Sequence, residues 1–436
     1  MWFGHLISHA GDAVFMIALP WLMLDITGSK SLTSLVSMSA YLPAVLFGLF
    51  AGVVVDRYNR KWIMIYSDIL RALLVAVIPL SLIYGFISPL LIGAITFSLS
   101  TFSAFFYPAR DSLIPHIVTA EELPAANSAI SVSGQMSHLL GPLFAGIGIS
   151  IFGLRHLFTA DAISFLFSIL LISLIVGPAR KLTIEKHPPK WQGIVEGLTY
   201  VNSHKGLRIL LILTFVNNIF IMGPAIIGLP VFVREVLTSD FGVLAKLEVA
   251  MATGMIVGSF VFWKAEKNIS PISILLFGIV MDGITYTLLF FADTSFIAML
   301  VLIIHGIGIP LITVSRTTII QAVVPDEYRG RLFSMIYMAV MGTTAISVGL
   351  TGFILEFIGA DSLFLLIGVG AASTVIIGFN PALWEMNVNN KFLDRGRNNI
   401  RWNGTDQNGK SVSAGTYFLK VRIEGASITK KILYLK

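Results

Sequence analysis

The residues that could do chemistry in this chain are few, and they lie where charge is most costly. Asp12, Asp282 and His305 each fall near the centre of a long apolar stretch. Asp68 and Arg71, three positions apart, fall inside another and can neutralise each other as a helical ion pair. His5 and His9 share roughly one helical face with Asp12. Ionisable side chains in hydrocarbon are expensive and mark functional sites by default. The chemistry on offer is proton binding, because a carboxylate or imidazole loaded on one side and emptied on the other couples proton flow to a second movement. Leaving water strengthens a carboxylate's hold on its proton. Asp12 is the first choice among Asp12, Asp282 and His305, since its counterpart in an internal repeat is Asn218, which is polar but does not titrate. A partnered structural polar group is the competing reading for each. Phe15 and Met16 near Asp12, with Asn217, Asn218, Phe220 and Met222, could line an adaptable apolar cavity between the first and seventh apolar stretches. Pro224, beside Met222, reads as a helix break.

The elements that must hold these residues follow from composition. The chain has 436 residues, 56% of them hydrophobic and 12% charged, against about 25% charged in a soluble domain. A helix needs about 20 mostly apolar residues to cross the bilayer. Twelve such stretches occur, at 3–25, 33–55, 62–84, 88–108, 128–152, 157–177, 208–232, 242–263, 271–292, 295–317, 332–357 and 362–384. The expected fold is therefore an all-α membrane protein. The first stretch lacks a basic leader and runs into Asp25 and Thr27-Gly28-Ser29, so it reads as a retained helix rather than a cleaved signal. Its abrupt start at Met1-Trp2 is also compatible with a shortened N-terminus. Without cysteine the chain has no disulfide, thiolate nucleophile or cysteine metal site. It carries no hydrolytic triad, metal-ligand cluster or phosphate-binding loop, so neither enzyme activity, a metal nor a cofactor is expected.

The net charge of +6 resides in residues 385–436, which hold ten Lys+Arg and four Asp+Glu; the remainder is neutral, and nothing calls for nucleic acid. Most basic residues outside that tail fall in alternate loops. Among them are Arg57, Arg60, Lys61, Arg110, Lys181, Lys264 and Arg316, while Lys30, Arg155, Arg234 and Lys246 fall opposite. Positive residues favour the cytoplasm, which puts both ends of the helical region there, in an inner membrane.

Six stretches lie on each side of residues 178–207, and "ARDSLIPHIVTAEEL" (109–123) aligns with "SRTTIIQAVVPDEYR" (315–329), matching Arg110 to Arg316. The same offset of 206 residues pairs Gly52 with Gly258, Gly146 with Gly352, Gly153 with Gly359 and Phe158 with Phe364. Repeats of this kind build secondary transporters that bind substrate between two rocking halves. Expected units are 1–177 and 208–384, joined by 178–207. Pro188-Pro189 breaks that linker ahead of an amphipathic run bearing Trp191, Ile194, Val195, Leu198 and Val201, expected as a helix in the membrane interface.

Two motifs carry a resemblance. "GVVVDRYNRK" (52–61) resembles the loop signature of the major facilitator superfamily, with Gly52 for close helix approach, Asp56 facing a helix N-terminus or a cation, and Arg57, Arg60 and Lys61 for acidic groups or lipid. Its repeat counterpart, "GSFVFWKAEKN" (258–268), has Phe262 in place of Asp56, so a cytoplasmic latch would belong to the first half alone. "GPLFAG" (141–146) is similar to the superfamily's antiporter motif, met by Ser137, Gly141, Pro142, Ala145 and Gly146, with Ser and Ala replacing two glycines. "SDILRALL" (67–74), "FYPARDSLIPHIV" (106–118) and "VVPDEYRGRLFSM" (323–335) narrow the resemblance to the drug-exporting branch containing macrolide efflux proteins and the enterobactin exporter. It implies a fold of two six-helix halves and proton-coupled efflux of amphipathic small molecules by alternating access. Substrate, protons and lipid would be the partners, with a monomeric transport unit. A siderophore or lysophospholipid carrier shares the same helices.

After Trp384 the pattern changes to alternation with turns at Asn403-Gly404, Asn408-Gly409 and Glu424-Gly425, predicting strands near 398–402, 415–424 and 427–435. "WNGTDQNGKSVSAGTYF" and "KKILYLK" resemble the end of the β-sandwich sorting domain of type IX secretion cargo. The first strands of that domain are missing, and a segment of this length cannot bury a two-sheet core alone. The tail is expected to be an acquired fragment without a role in transport. A membrane anchor displaying it as an interaction module is the alternative.

Overall fold

A computed structural model describes residues 2–119, 121–175, 190–386, 415–423 and 426–434. Residues Met1–Val388 form one compact unit and Asn389–Lys436 a second. The first unit is helical throughout its described residues. Among the described residues, eleven helices are long and apolar enough to cross a membrane. The fifth position is filled by Leu123–Phe152, 30 residues long, whose apolar part is Leu140–Phe152. The helix at each expected position gives two six-helix halves, and the chain is an integral membrane protein.

Caps set the ends. Ser29, Asn59, Ser88, Asp240, Ser270 and Thr294 each accept a backbone N–H of the helix that follows, satisfying donors that a helix start leaves free. Three spans are interrupted. The second is split into Lys30–Met38 and Leu42–Arg57 ahead of Pro43. The seventh does not break at Pro224 as expected: Lys205–Gly223 continues through a π-helical turn, Pro224–Gly228, into Leu229–Glu235. The wider turn accommodates the proline ring, while the Gly223 N–H donates to Ser347 Oγ at 2.7 Å and Ser347 donates to the Ile219 carbonyl. The twelfth ends at Gly378, short of the expected 384, because Asn380 caps a separate turn at Pro381–Trp384.

The halves meet with a symmetry that matches the repeat. A Cβ on Gly146 of the fifth span would lie 2.7 Å from the Ala245 methyl of the eighth; a Cβ on its counterpart Gly352, in the eleventh span, would collide with Ser34 of the second. At the end of the bundle near these contacts, Lys30 pairs with Glu235 at 2.9 Å and Arg234 with Asp25 at 3.5 Å. Glu356 accepts from the Ser31 N–H at 2.9 Å and the Ser29 hydroxyl at 3.2 Å. Among the described residues, both ion pairs joining the halves lie at this end.

In the linker, helix Lys190–Ser203 occupies the expected place. Its Val201 is buried and Tyr200 stacks on Tyr328 of the eleventh span, ring centroids 4.6 Å apart, so this part of its apolar face is covered by protein; residues 176–189 lie outside the described residues. In the second unit, Gly415–Ile423 and Ala426–Tyr434 pair antiparallel, Gly415 opposite Tyr434 and Ile423 opposite Ala426. These are two of the three expected strands; 398–402 lies outside the described residues.

Candidate functional site

Two polar sites sit inside the helical unit, one in each half. The first is built on Arg71 of the third span. Its guanidinium places Nη2 2.5 and 2.6 Å from the two Asp12 oxygens and Nη1 3.1 Å from Asp68 Oδ1. The pairing of Asp68 with Arg71 was legible in their spacing, but Asp12 joins it from the first span and is not a solitary carboxylate. Arg71 is 1% exposed and packs over the Phe165 ring at 4.1 Å, so its charge is held away from solvent. Such a buried cation is tolerable only with its counter-ions in place. Tyr107 donates its hydroxyl to Asp12 Oδ2 at 3.3 Å. Asp68 Oδ2 and Arg71 Nε have no hydrogen-bond partner among the described residues.

A third carboxylate completes this site and was not anticipated. Asp161 of the sixth span is 1% exposed and lines, with Asp12, Phe15, Met16 and Tyr107, a cavity of about 160 Å³. Gly11 permits this approach, since a Cβ there would collide with Asp161 Oδ1. Two carboxylates thus meet one guanidinium, and a third shares the cavity with Asp12. Towards the end of the same helix face, His5 lies 2.8 Å from Arg110 Nη1 and its ring is 5.2 Å from that of His9. Arg110 is not in a loop, as expected, but buried in the last turn of the fourth span, where it also binds Asp111.

The second site is a cavity of about 310 Å³ in the other half. Asp282 and His305 are 2% and 1% exposed, and Asp282 Oδ1 is 3.6 Å from His305 Nδ1. Thr285 Oγ1 lies 2.9 Å from the same nitrogen and 2.8 Å from the Met281 carbonyl. Tyr286 lies against His305, ring centroids 4.5 Å apart. Asn217, Asn218 and Met222 line this cavity; Asn218 donates to the Thr343 and Thr344 hydroxyls. The expected single cavity between the first and seventh spans is therefore two, with Phe15 and Met16 at one and the asparagines and Met222 at the other. Arg316, also expected in a loop, lies within the tenth span and lines the second cavity. Helices that overrun the hydrocarbon carry both repeat-related arginines inside.

The motif residues fall at the ends and seams of the bundle. Asn59 caps the third span between Arg57, which is exposed, and Arg60, which contacts His116 at 3.0 Å. Lys61 donates to the carbonyls of Ser173 and Ile175 at 2.8 and 2.9 Å, capping the sixth span. The described partners of Arg60 and Lys61 thus belong to their own half. Gly52 is half-buried in the second span, and the Asp56 side chain lies outside the described residues. Gly141 packs on Ala13 of the first span and Gly146 on Ala245 of the other half, with Pro142 and Ala145 buried between them.

The family model of the transmembrane secretion effectors matches residues 1–400. The chain belongs to this family. It is a transporter of the major facilitator superfamily, from a family of transporters rather than enzymes. Relatives of this family member include a macrolide efflux protein A from Streptococcus pyogenes, 25% identical over 84% of this chain and 91% of that protein. The multidrug efflux pump Tap of Mycolicibacterium fortuitum is 27% identical over 89% of this chain and 97% of its own length. The fold matches the crystal structure of a POT family transporter in complex with a thioalcohol-conjugated peptide, with a TM-score of 0.69, 12% identity and coverage of 89% and 96%.

Proposed function

We propose that the protein is a proton-coupled exporter of amphipathic small molecules, working by alternating access between residues 1–177 and 208–384 in an inner membrane. The names of its relatives support efflux of macrolide-type and other drugs. The distribution of basic residues supports an outward position for the end closed by Lys30–Glu235 and Arg234–Asp25, and an exporter resting in this state would admit cargo from the cytoplasmic side. Release requires those pairs to part and the cytoplasmic end to close, for which Gly52, Asp56, Arg57, Arg60 and Lys61 are the proposed gate, with the Gly141–Gly146 face as the packed seam.

One observation carries the coupling: Asp12 and Asp68 share the single guanidinium of Arg71, and a third carboxylate, Asp161, lines the same cavity as Asp12. In low dielectric that excess negative charge calls for a proton. Asp12, which meets both Arg71 and the cavity, is the proposed exchange point. The test is dye efflux from vesicles with an imposed pH gradient. The intact chain is expected to respond to the gradient and Asp12→Asn to lose that response; transport by the intact chain that ignores the gradient would refute proton coupling.

A further inference from the structure

We infer that the cavity of the C-terminal half is a subsite for the positively charged end of an amphipathic amine or onium ion, with Asp282 as its counter-ion. This assignment rests on the exporter reading. Asp282 differs from Asp12 and Asp68, the two carboxylates paired with Arg71, in having no arginine or lysine partner among the described residues. Its Oδ1 is buried without a hydrogen-bond partner among the described residues. His305, its one basic neighbour there, directs Nδ1 to Thr285. At 3.6 Å from Nδ1, Oδ1 receives no hydrogen bond from the imidazole, and a carboxylate in a dry site needs compensation. A proton on Asp282 or a cation in the cavity would supply it, and the open volume beside Oδ1 favours the cation.

The surroundings suit a soft organic cation rather than a metal ion. Tyr286, four residues from Asp282 on the same helix, contributes an aromatic ring to the cavity lining, packed between His305 and Phe364. Leu213, Ile279 and Met222 supply apolar walls, matching a ligand with one charged end and a hydrophobic body. Gly308 keeps room beside the carboxylate, since a Cβ there would stand 2.9 Å from Asp282 Oδ1. Arg316 is the other charged group lining this cavity. It lies eleven residues from His305 on the same helix, about 16 Å along the axis, too far to neutralise Asp282. Its guanidinium is left for acceptor oxygens at the far end of the same ligand.

The test uses two probes of nearly equal shape and opposite charge, tetraphenylphosphonium and tetraphenylborate, in equilibrium binding to the purified full chain. The intact chain should prefer the phosphonium by about tenfold or more. Asp282→Asn should weaken phosphonium binding by about thirtyfold or more, as removal of one partner from a buried charge pair does, and Asp282→Glu should restore most of it. Equal affinity for the two probes, or full phosphonium affinity in Asp282→Asn, would overturn the assignment. If Asp282→Asn fails to fold, the charge preference of the intact chain and retention in Asp282→Glu still decide. Binding is read without transport, so an intact chain that binds the phosphonium but fails to export would defeat the exporter reading and leave this one standing.

Discussion

In the N-terminal half, Arg71 gathers Asp12 and Asp68 while Asp161 stands across a small cavity; in the C-terminal half, Asp282 faces a larger cavity with His305 at 3.6 Å and, among the described residues, no arginine or lysine paired with it. The repeat that generated both halves kept their packing and let their polar contents diverge. Gly146 and Gly352 do the same work at equivalent seams, yet the positions equivalent to Asp12 and Arg71 are Asn218 and Phe277, and that equivalent to His305 is Leu99. A site with internal counter-ions suits proton exchange, because a proton moves charge among groups already present. A site lacking a counter-ion suits a charged cargo. The account therefore gives the proton to one half and the substrate to the other.

The sharpest break of this contrast is Arg71→Met. Removing the cation leaves Asp68 buried and Asp12 half-buried without compensation, and uncovering the buried carboxylate should cost about 3–5 kcal/mol. Thermal unfolding of the purified chain should fall accordingly and efflux should vanish; a stable, active variant would mean that the N-terminal carboxylates need no internal counter-ion.

The seam between the halves should be more forgiving. Lys30 and Glu235 side chains are 17% and 42% exposed, and solvent limits such a pair to about 1 kcal/mol at most, or roughly fivefold in the population of the outward-open state. The chain has no cysteine, so labelling of Met38→Cys, whose native sulfur lies 3.0 Å from where a Gly349 Cβ would stand, reports opening cleanly. Lys30→Ala should raise its labelling rate up to about fivefold; an unchanged rate would remove the pair from the outer closure.

A smaller effect concerns pH. The Ser31 N–H and the Ser29 hydroxyl hold the Glu356 carboxyl below the usual carboxylate range. A depressed folded value means that this link contributes fully above the ordinary glutamate value of about 4.3. It is lost only as pH falls through the lower folded value. Labelling of Met38→Cys, normalised at each pH to that of a free thiol because only the thiolate reacts, should thus be flat from neutral pH down to about 5 and rise below about 4; in Glu356→Gln that acid rise should be smaller, with the remainder left to Glu235 and Asp25. The smallest effect expected is none: deleting residues 389–436, the separate unit, should leave efflux unchanged, and its loss would give the β tail a role in transport.

Much of the scaffold was legible because span length and hydropathy are local properties. The Gly pairs and the offset of 206 residues needed no coordinates. What could not be read were contacts made across helices. Asp12 looked solitary because nothing in the first span announces that the third brings Arg71 within 2.5 Å. Asp161 was passed over because it lies near the edge of its apolar stretch, although the Gly11 beside Asp12 was a signal of close approach by another helix. Arg110 and Arg316 looked like loop residues because helix ends were drawn at the limits of hydropathy, and the helices extend further to Leu113 and Val323. Pro224 was read as a break because a π-turn depends on a partner, here Ser347, from a distant span.

The division of labour between the halves is tested most directly by comparing two transport modes of the same reconstituted protein: efflux driven by a pH gradient, and exchange of labelled for unlabelled tetraphenylphosphonium at equal concentrations without a gradient. Exchange requires cargo binding and alternation of the loaded carrier but no net proton movement. The account predicts that Asp12→Asn and Asp161→Asn lose gradient-driven efflux and keep exchange, while Asp282→Asn loses both. Loss of exchange in the two N-terminal variants as complete as in Asp282→Asn would contradict it and place proton and cargo on one shared site.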